Sequence, residues 1–172
     1  MNESIQETIT NWLKRDRTIV TPQEKAQYDF CLRIEHVAGR VIPFFIWRKS
    51  NALDQIVVYW GWQLTSEYVK SLEVTGDEIK KNFYRDLQAV AFLTNTRIYF
   101  KPDINTANLN EKLKGLNLEE VRAMKVIYQD GLTKDRLMDS IQQVMYSFTY
   151  IMYLFEKHGF TRPQADSFRL VE

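Results

Sequence analysis

The chain reads as a single α+β domain in which helices pack on an antiparallel sheet. Three observations predict this. Short turns link three successive strand patterns, which makes them neighbours in a meander. Helical periodicity comes before, between and after the strand runs. At 172 residues, with 45% hydrophobic and 26% charged content, the chain has the size and composition of one ordinary globular core.

The first helix is expected near residues 3 to 15. Ser4 and Glu7 have the S-x-x-E spacing of a capping box, and Ile5, Ile9, Trp12 and Leu13 follow at helical spacing. The polar run from Lys14 to Thr18, then Thr21-Pro22, ends it. In "YDFCLRIEHV", Tyr28, Phe30, Leu32 and Ile34 alternate with Asp29, Cys31, Arg33 and Glu35, as in a strand with one buried face. Ala38-Gly39 turns into "RVIPFFIWRK", and Ser50-Asn51 into "LDQIVVYWGWQL". Pro43 cannot donate to a ladder and marks a bulge or an unpaired start. These two strands, 40 to 48 and 53 to 62, are apolar on both faces. Phe44 and Ile46 oppose Phe45 and Trp47; Ile56, Val58 and Trp60 oppose Val57 and Tyr59. A sheet covered on one face alone alternates more cleanly, so something covers part of the second face.

"LTSEYVKSLEVTGDEI" predicts a short helical turn and then a helix start at Thr75 to Asp77, with Ile79, Phe83, Leu87, Val90 and Ala91 marking a helix that ends near Thr94. "RIYFK" (97 to 101) is the fourth strand, stopped by Pro102. A loop rich in Asn (Asn105, Asn108, Asn110, Asn117) follows, with one helical turn around Leu109 to Leu113. "VRAMKVIYQ" (121 to 129) is the fifth strand. Asp130-Gly131 is not a hairpin, because the pattern beyond it is helical: Leu137, Ile141, Val144, Met145, Phe148, Met152 and Phe155 recur at steps of three and four. Nor does its spacing match a calcium loop. It reads as a strand-to-helix hinge, with Gly131 left-handed, Thr133 as N-cap and Asp135 in the first turn. The domain spans 1 to 158, and 159 to 172 form a C-terminal tail.

The order is thus helix, three-stranded meander, helix, two strands, helix, on a five-stranded sheet. Over roughly residues 3 to 158, this order resembles the type III secretion chaperone-like fold, and within it an uncharacterised, largely archaeal family. "RIYFKPD" followed by "VIYQDGLTKDRLMDSI" carries the same likeness. The resemblance implies a non-enzymatic, often dimeric, protein-binding scaffold, and it brings no site residues.

The residues themselves exclude several function classes. The net charge of +1, from 23 basic and 22 acidic residues, gives no electrostatic pull toward nucleic acid. The single Cys31 makes no internal disulfide, and no signal peptide or membrane-length apolar stretch is visible, so a cytoplasmic protein without membrane contact is expected. Cys31 and His36 lie on opposite faces of one strand and form no dyad. His36 and His158 lack a zinc pattern. Asp77-Glu78 and Glu119-Glu120 read as solvated caps, and no glycine-rich phosphate loop or nucleophile elbow occurs. Neither catalysis nor a cofactor is expected.

Two features point to binding. Trp47-Arg48-Lys49 and Arg97-Tyr99-Lys101 mix aromatic and basic groups on strands, the basis of an alternative reading as a nucleic-acid-associated protein. The last helix carries Tyr146, Tyr150, Tyr153 and Leu154 opposite its main apolar stripe, where its first half has Asp135, Arg136, Asp139, Gln142 and Gln143. Such a back is either buried within the domain or meets a subunit or client. The leading expectation is a chaperone-like protein-interaction scaffold, homodimeric, with Trp60, Trp62, Tyr146, Tyr150 and Tyr153 nearest the interface and a protein client possible.

Overall fold

The computed structural model describes residues 4–15, 18–36, 43–64, 66–101 and 118–160. Its elements run α1 (Ile5–Arg15), β1 (Thr18–Pro22), β2 (Tyr28–His36), β3 (Phe44–Lys49), β4 (Gln55–Gln63), α2 (Ser66–Val74), α3 (Asp77–Thr94), β5 (Arg97–Lys101), β6 (Glu120–Tyr128), a 3-10 turn (Gln129–Gly131) and α4 (Lys134–Lys157). The strands form one six-stranded antiparallel sheet in the order β1-β2-β3-β4-β6-β5. The α+β class and the meander β2-β3-β4 agree with the sequence.

All four described helices pack on one face of this sheet. Ile9 and Leu13 of α1, Leu72 of α2, Phe83, Leu87 and Val90 of α3, and the apolar stripe of α4 share one core with Phe30, Leu32, Ile34, Phe44, Ile46, Val58, Trp60, Trp62, Val121 and Ala123. The steps of three and four along α4 put Leu137, Ile141, Val144, Phe148, Ile151 and Phe155 down on the strands. Trp60 meets Phe148 edge-on at 5.0 Å and Trp62 meets Phe155 at 4.7 Å, the T-shaped geometry that ring quadrupoles favour.

Helix ends follow the local chemistry of the sequence. The Ser4 amide donates to the Glu7 carboxylate at 2.8 Å and the Glu7 amide donates to Ser4 Oγ at 3.2 Å, completing the capping box. These bonds hold the Glu7 carboxyl below its usual range. Thr133 Oγ1 accepts from the Arg136 amide at 3.2 Å and caps α4. At the other end Gly159 takes a left-handed φ of 80°. Its amide reaches Glu156 O at 3.0 Å, and that of Phe160 reaches Phe155 O at 2.8 Å, a Schellman stop. Phe160 packs on Phe83 and Phe155, so the core continues two residues past 158.

Several expectations are corrected. Five strands become six: β1, "TIVTP", pairs with β2 and lies at a sheet edge, where Pro22 removes no needed donor. The turn expected after β4 is a full helix, α2. Tyr28 leaves the Phe30 face, because a bulge between Tyr28 and Phe30 shifts the register. Ile79 is 46% exposed rather than in the core. Gly131 sits in a 3-10 turn without a positive φ; a β-carbon there would meet Arg136 Nη1, whose other partner is the Gly131 carbonyl. Pro43 precedes β3, an unpaired start. The Ala38-Gly39 turn, the Asn-rich loop and the helical turn at Leu109 to Leu113 lie outside the described residues, as does 161–172.

Candidate interaction surfaces

The strand face away from the helices carries its own apolar cluster. Cys31, Phe45, Val57 and Tyr59 are buried there, with Tyr28, Trp47, Met124 and Val126 partly buried around them. Cross-strand pairing explains the grouping: Cys31 faces Trp47, Phe45 faces Tyr59, Val57 faces Val126 and Tyr59 faces Met124. Tyr59 lies down along its strand over Gly61, where a β-carbon would collide with the ring. The apolar second face inferred from the strand pattern is therefore real, and no described helix packs on it.

Charges border this cluster. Arg33 pairs with Glu35 at 2.7 Å, and Arg122 with the buried Glu120. Lys49 lies over the Trp47 ring at 5.7 Å. Register places Arg97, Tyr99 and Lys101 of β5 beside Met124, Arg122 and Glu120, on this same face. The two aromatic-basic groups of the sequence thus share one surface, apart from Arg48, which points the other way. Arg48 binds Asp29 at 2.8 Å through Nε, donates to Gln129 Oε1 at 3.3 Å and covers the Phe30 ring.

The second surface is the outer side of α3 and α4. Tyr146, Tyr150 and Tyr153 are 52%, 45% and 56% exposed, and Phe92 and Leu93 of α3 are 89% and 68% exposed. The two helices run antiparallel. Asp86 accepts from Lys157 at 2.7 Å and contacts His158 at 3.1 Å, while the hydroxyls of Thr94, Thr96 and Ser147 sit 2.7–2.8 Å apart at the other end. Leu93 shares the Asp86 side of α3, being seven residues on, and Tyr146, Tyr150 and Tyr153 lead by helical steps to Lys157. The tyrosine stripe and the end of α3 therefore border one helix–helix seam. Sequence reasoning missed Phe92 and Leu93, whose position next to buried Val90 and Thr94 makes them look like core.

Of the residues expected nearest an interface, Trp60 and Trp62 have no exposure: α4 covers them, so only the three tyrosines stand at a surface. Trp60 and Trp62 belong to the core for a plain reason, since they point to the sheet face on which the helices pack.

The groups weighed for chemistry are placed as follows. Cys31 is buried, and desolvation pushes its thiol up to about 11, which leaves it protonated near neutral pH. His158 is spent on Asp86 and the edge of the Phe83 ring. Glu119, Asp77 and Glu78 are exposed, but Glu120, expected to be solvated, is buried and paired with Arg122. Leu53, Asp54, Tyr128, Gln129 and Asp130 line an open cleft of about 600 Å³ beside the turn into α4. Among the described residues no three His, Cys, Asp or Glu side chains are grouped to hold a metal ion, and no helix is long and apolar enough to cross a membrane.

Comparison with known proteins gives a family and a fold. Residues 5–155 match the model of a family described as uncharacterized conserved protein (DUF2299). The comparison with curated proteins found no match. An uncharacterized protein from Methanothermobacter thermautotrophicus has a similar crystal structure, with a TM-score of 0.72 at 17% identity over 90% of this chain and 99% of its own. YbjN, a candidate transcription regulator from E. coli, is similar at a TM-score of 0.51 and 15% identity, over 93% of this chain and 97% of that one. At these identities the likeness is one of fold.

Proposed function

The chain belongs to the DUF2299 family, and we propose that it is a chaperone-like protein-interaction scaffold without catalytic activity, working as a homodimer. The fold is read as the type III secretion chaperone-like kind. One observation carries the proposal: the outer side of α3 and α4 exposes Phe92, Leu93, Tyr146, Tyr150 and Tyr153, of which Leu93 and the tyrosines border the seam. At about 200 Å² for a whole aromatic side chain, these five leave on the order of 600 Å² in water. That approaches the roughly 800 Å² per partner of a standard interface and stands at the top of the range, about 300–600 Å², of a monomer's largest apolar patch. A two-fold axis through the seam would pack the helix pair against its copy, the commonest way to close such a patch. The phenolic hydroxyls could stay at the wet rim, as tyrosine at interfaces permits.

Light scattering at micromolar concentration tests this. The expected mass is about twice the 20.5 kDa chain. Tyr150→Asp with Tyr153→Asp is expected to shift the protein to monomer while helical circular dichroism persists. A monomeric unmodified protein overturns the dimer.

A further inference from the structure

We infer that the sheet face on which no described helix packs binds an acidic, amphipathic protein segment, laid across β3, β4 and β6 with its carboxylates toward β5. This rests on the scaffold reading and names the partner for one of its surfaces. The strand residues of this face supply Arg33, Lys49, Arg97, Lys101 and Arg122 against only Glu35 and Glu120. Both carboxylates are already paired, with Arg33 and Arg122. Arg97 and Lys101 have no ion-pair partner among the described residues, and Lys49 rests on an indole. Three cations on one face of a chain with net charge +1 are a local asymmetry, and complementarity selects an acidic partner.

The floor beside those cations decides between the two classes of anion. Single-stranded nucleic acid needs open ring planes on which bases stack. Here Trp47 is taken by Tyr28, with centroids 5.2 Å apart, and by Lys49. Phe45 sits against Tyr59 at 6.4 Å, and both are buried. Tyr99 and Tyr128, 42% and 55% exposed, offer freer planes, but Tyr99 sits beside Arg122 and Tyr128 lies six residues further along β6, about 20 Å away, too far apart for successive bases. What remains partly open in the cluster includes Met124 and Val126, aliphatic surface suited to leucine or phenylalanine side chains. Trp47 Nε1 and Arg33 Nε, diagonal neighbours across β2 and β3, are buried donors without acceptors, and a shift of their side chains would offer both to an incoming carboxylate or carbonyl.

Fluorescence anisotropy on the full chain provides the test, with three labelled probes. One is a helical peptide with leucine and phenylalanine on one side and glutamate on the other. The second has lysine for glutamate, and the third is an oligo-dT strand. The glutamate peptide is expected to bind at least about tenfold tighter than either other probe. Arg97→Glu with Lys101→Glu should weaken it by about tenfold or more and reduce its salt dependence. Equal binding of the lysine peptide, unchanged affinity in the variant, or tighter binding of oligo-dT would each overturn the inference. Light scattering on the same samples separates the two readings, because Arg97, Tyr99 and Lys101 face away from the helices: a dimer that ignores all three probes sinks this inference alone.

Discussion

Gly61→Ala is the sharpest single perturbation of the sheet face on which no described helix packs. In a strand, alanine is ordinarily better than glycine, by about 0.5–1 kcal/mol, because glycine loses more backbone freedom on folding. Gly61 has an ordinary backbone conformation, so propensity alone predicts a gain. Packing predicts the opposite. A β-carbon at Gly61 would lie 2.7 Å from Tyr59 Cζ and 3.0 Å from Cε1, and closer still to the hydroxyl. Tyr59 is 2% exposed and held between Phe45 and Met124, so its ring has no free direction along the sheet. Overpacking of this kind costs about 1–3 kcal/mol, and it outweighs the propensity gain. The expected net result is a destabilisation of about 1–2 kcal/mol in urea denaturation, with an unchanged m-value. Tyr59→Leu removes the obstructing ring, so alanine at 61 should then be neutral or mildly stabilising. The double-mutant cycle should show coupling of about 1–2 kcal/mol. A neutral or stabilising Gly61→Ala in the unmodified chain, with no coupling to position 59, would refute the packed second face.

Other predictions concern the core and its ends. Lys157, through its hydrogen bond, and then His158 hold the Asp86 carboxyl below its usual range, so its contribution is present above about pH 4 and is lost as the pH falls through its lowered folded value. Melting temperatures of the unmodified protein and Asp86→Asn should therefore differ near neutral pH and converge in acid; a constant gap would contradict the pairing. Thr133→Ala should cost about 1 kcal/mol through the lost cap, whereas Gly131→Ala should cost under about 1 kcal/mol, since only the flexible Arg136 must move. Denaturation midpoints compare the two, and a costlier Gly131 change would restore the left-handed hinge. Cys31→Ala should be tolerated, and Cys31→Ser should cost about 1–2 kcal/mol by placing a hydroxyl in the apolar cluster. Native Cys31 should react slowly with thiol reagents at pH 8, and fast labelling would show that the site is open.

Much of this architecture was legible because its signals are local. The Ser4–Glu7 box, the steps along α4, Thr133 as cap and the doubly apolar strands β3 and β4 all depend on near neighbours. What escaped depends on distant ones. "TIVTP" is short and follows a polar run, so only its pairing with β2 makes it a strand. The bulge that turns Tyr28 over arises from register with β3, which no alternation pattern reports. The same limit explains the tryptophans. The sequence shows that β4 is apolar on both sides, but the side that receives α4 is settled by packing, and Trp60 and Trp62 fall there while Val57 and Tyr59 do not. On α3, Phe92 and Leu93 keep company with core residues and point out nonetheless, because neither falls on the side of the helix that packs on the sheet.

Hydroxyl-radical footprinting at two protein concentrations tests the central claim most directly, since it reads the proposed interface residue by residue without mutation. Trp60 and Trp62 serve as internal references, buried in the protomer and expected to stay unreactive throughout. The account predicts that Phe92, Leu93, Tyr146, Tyr150 and Tyr153 are oxidised in dilute protein and protected together at high concentration. Reactivity of all five that stays the same at both concentrations would contradict a second copy of the chain on the outer side of α3 and α4.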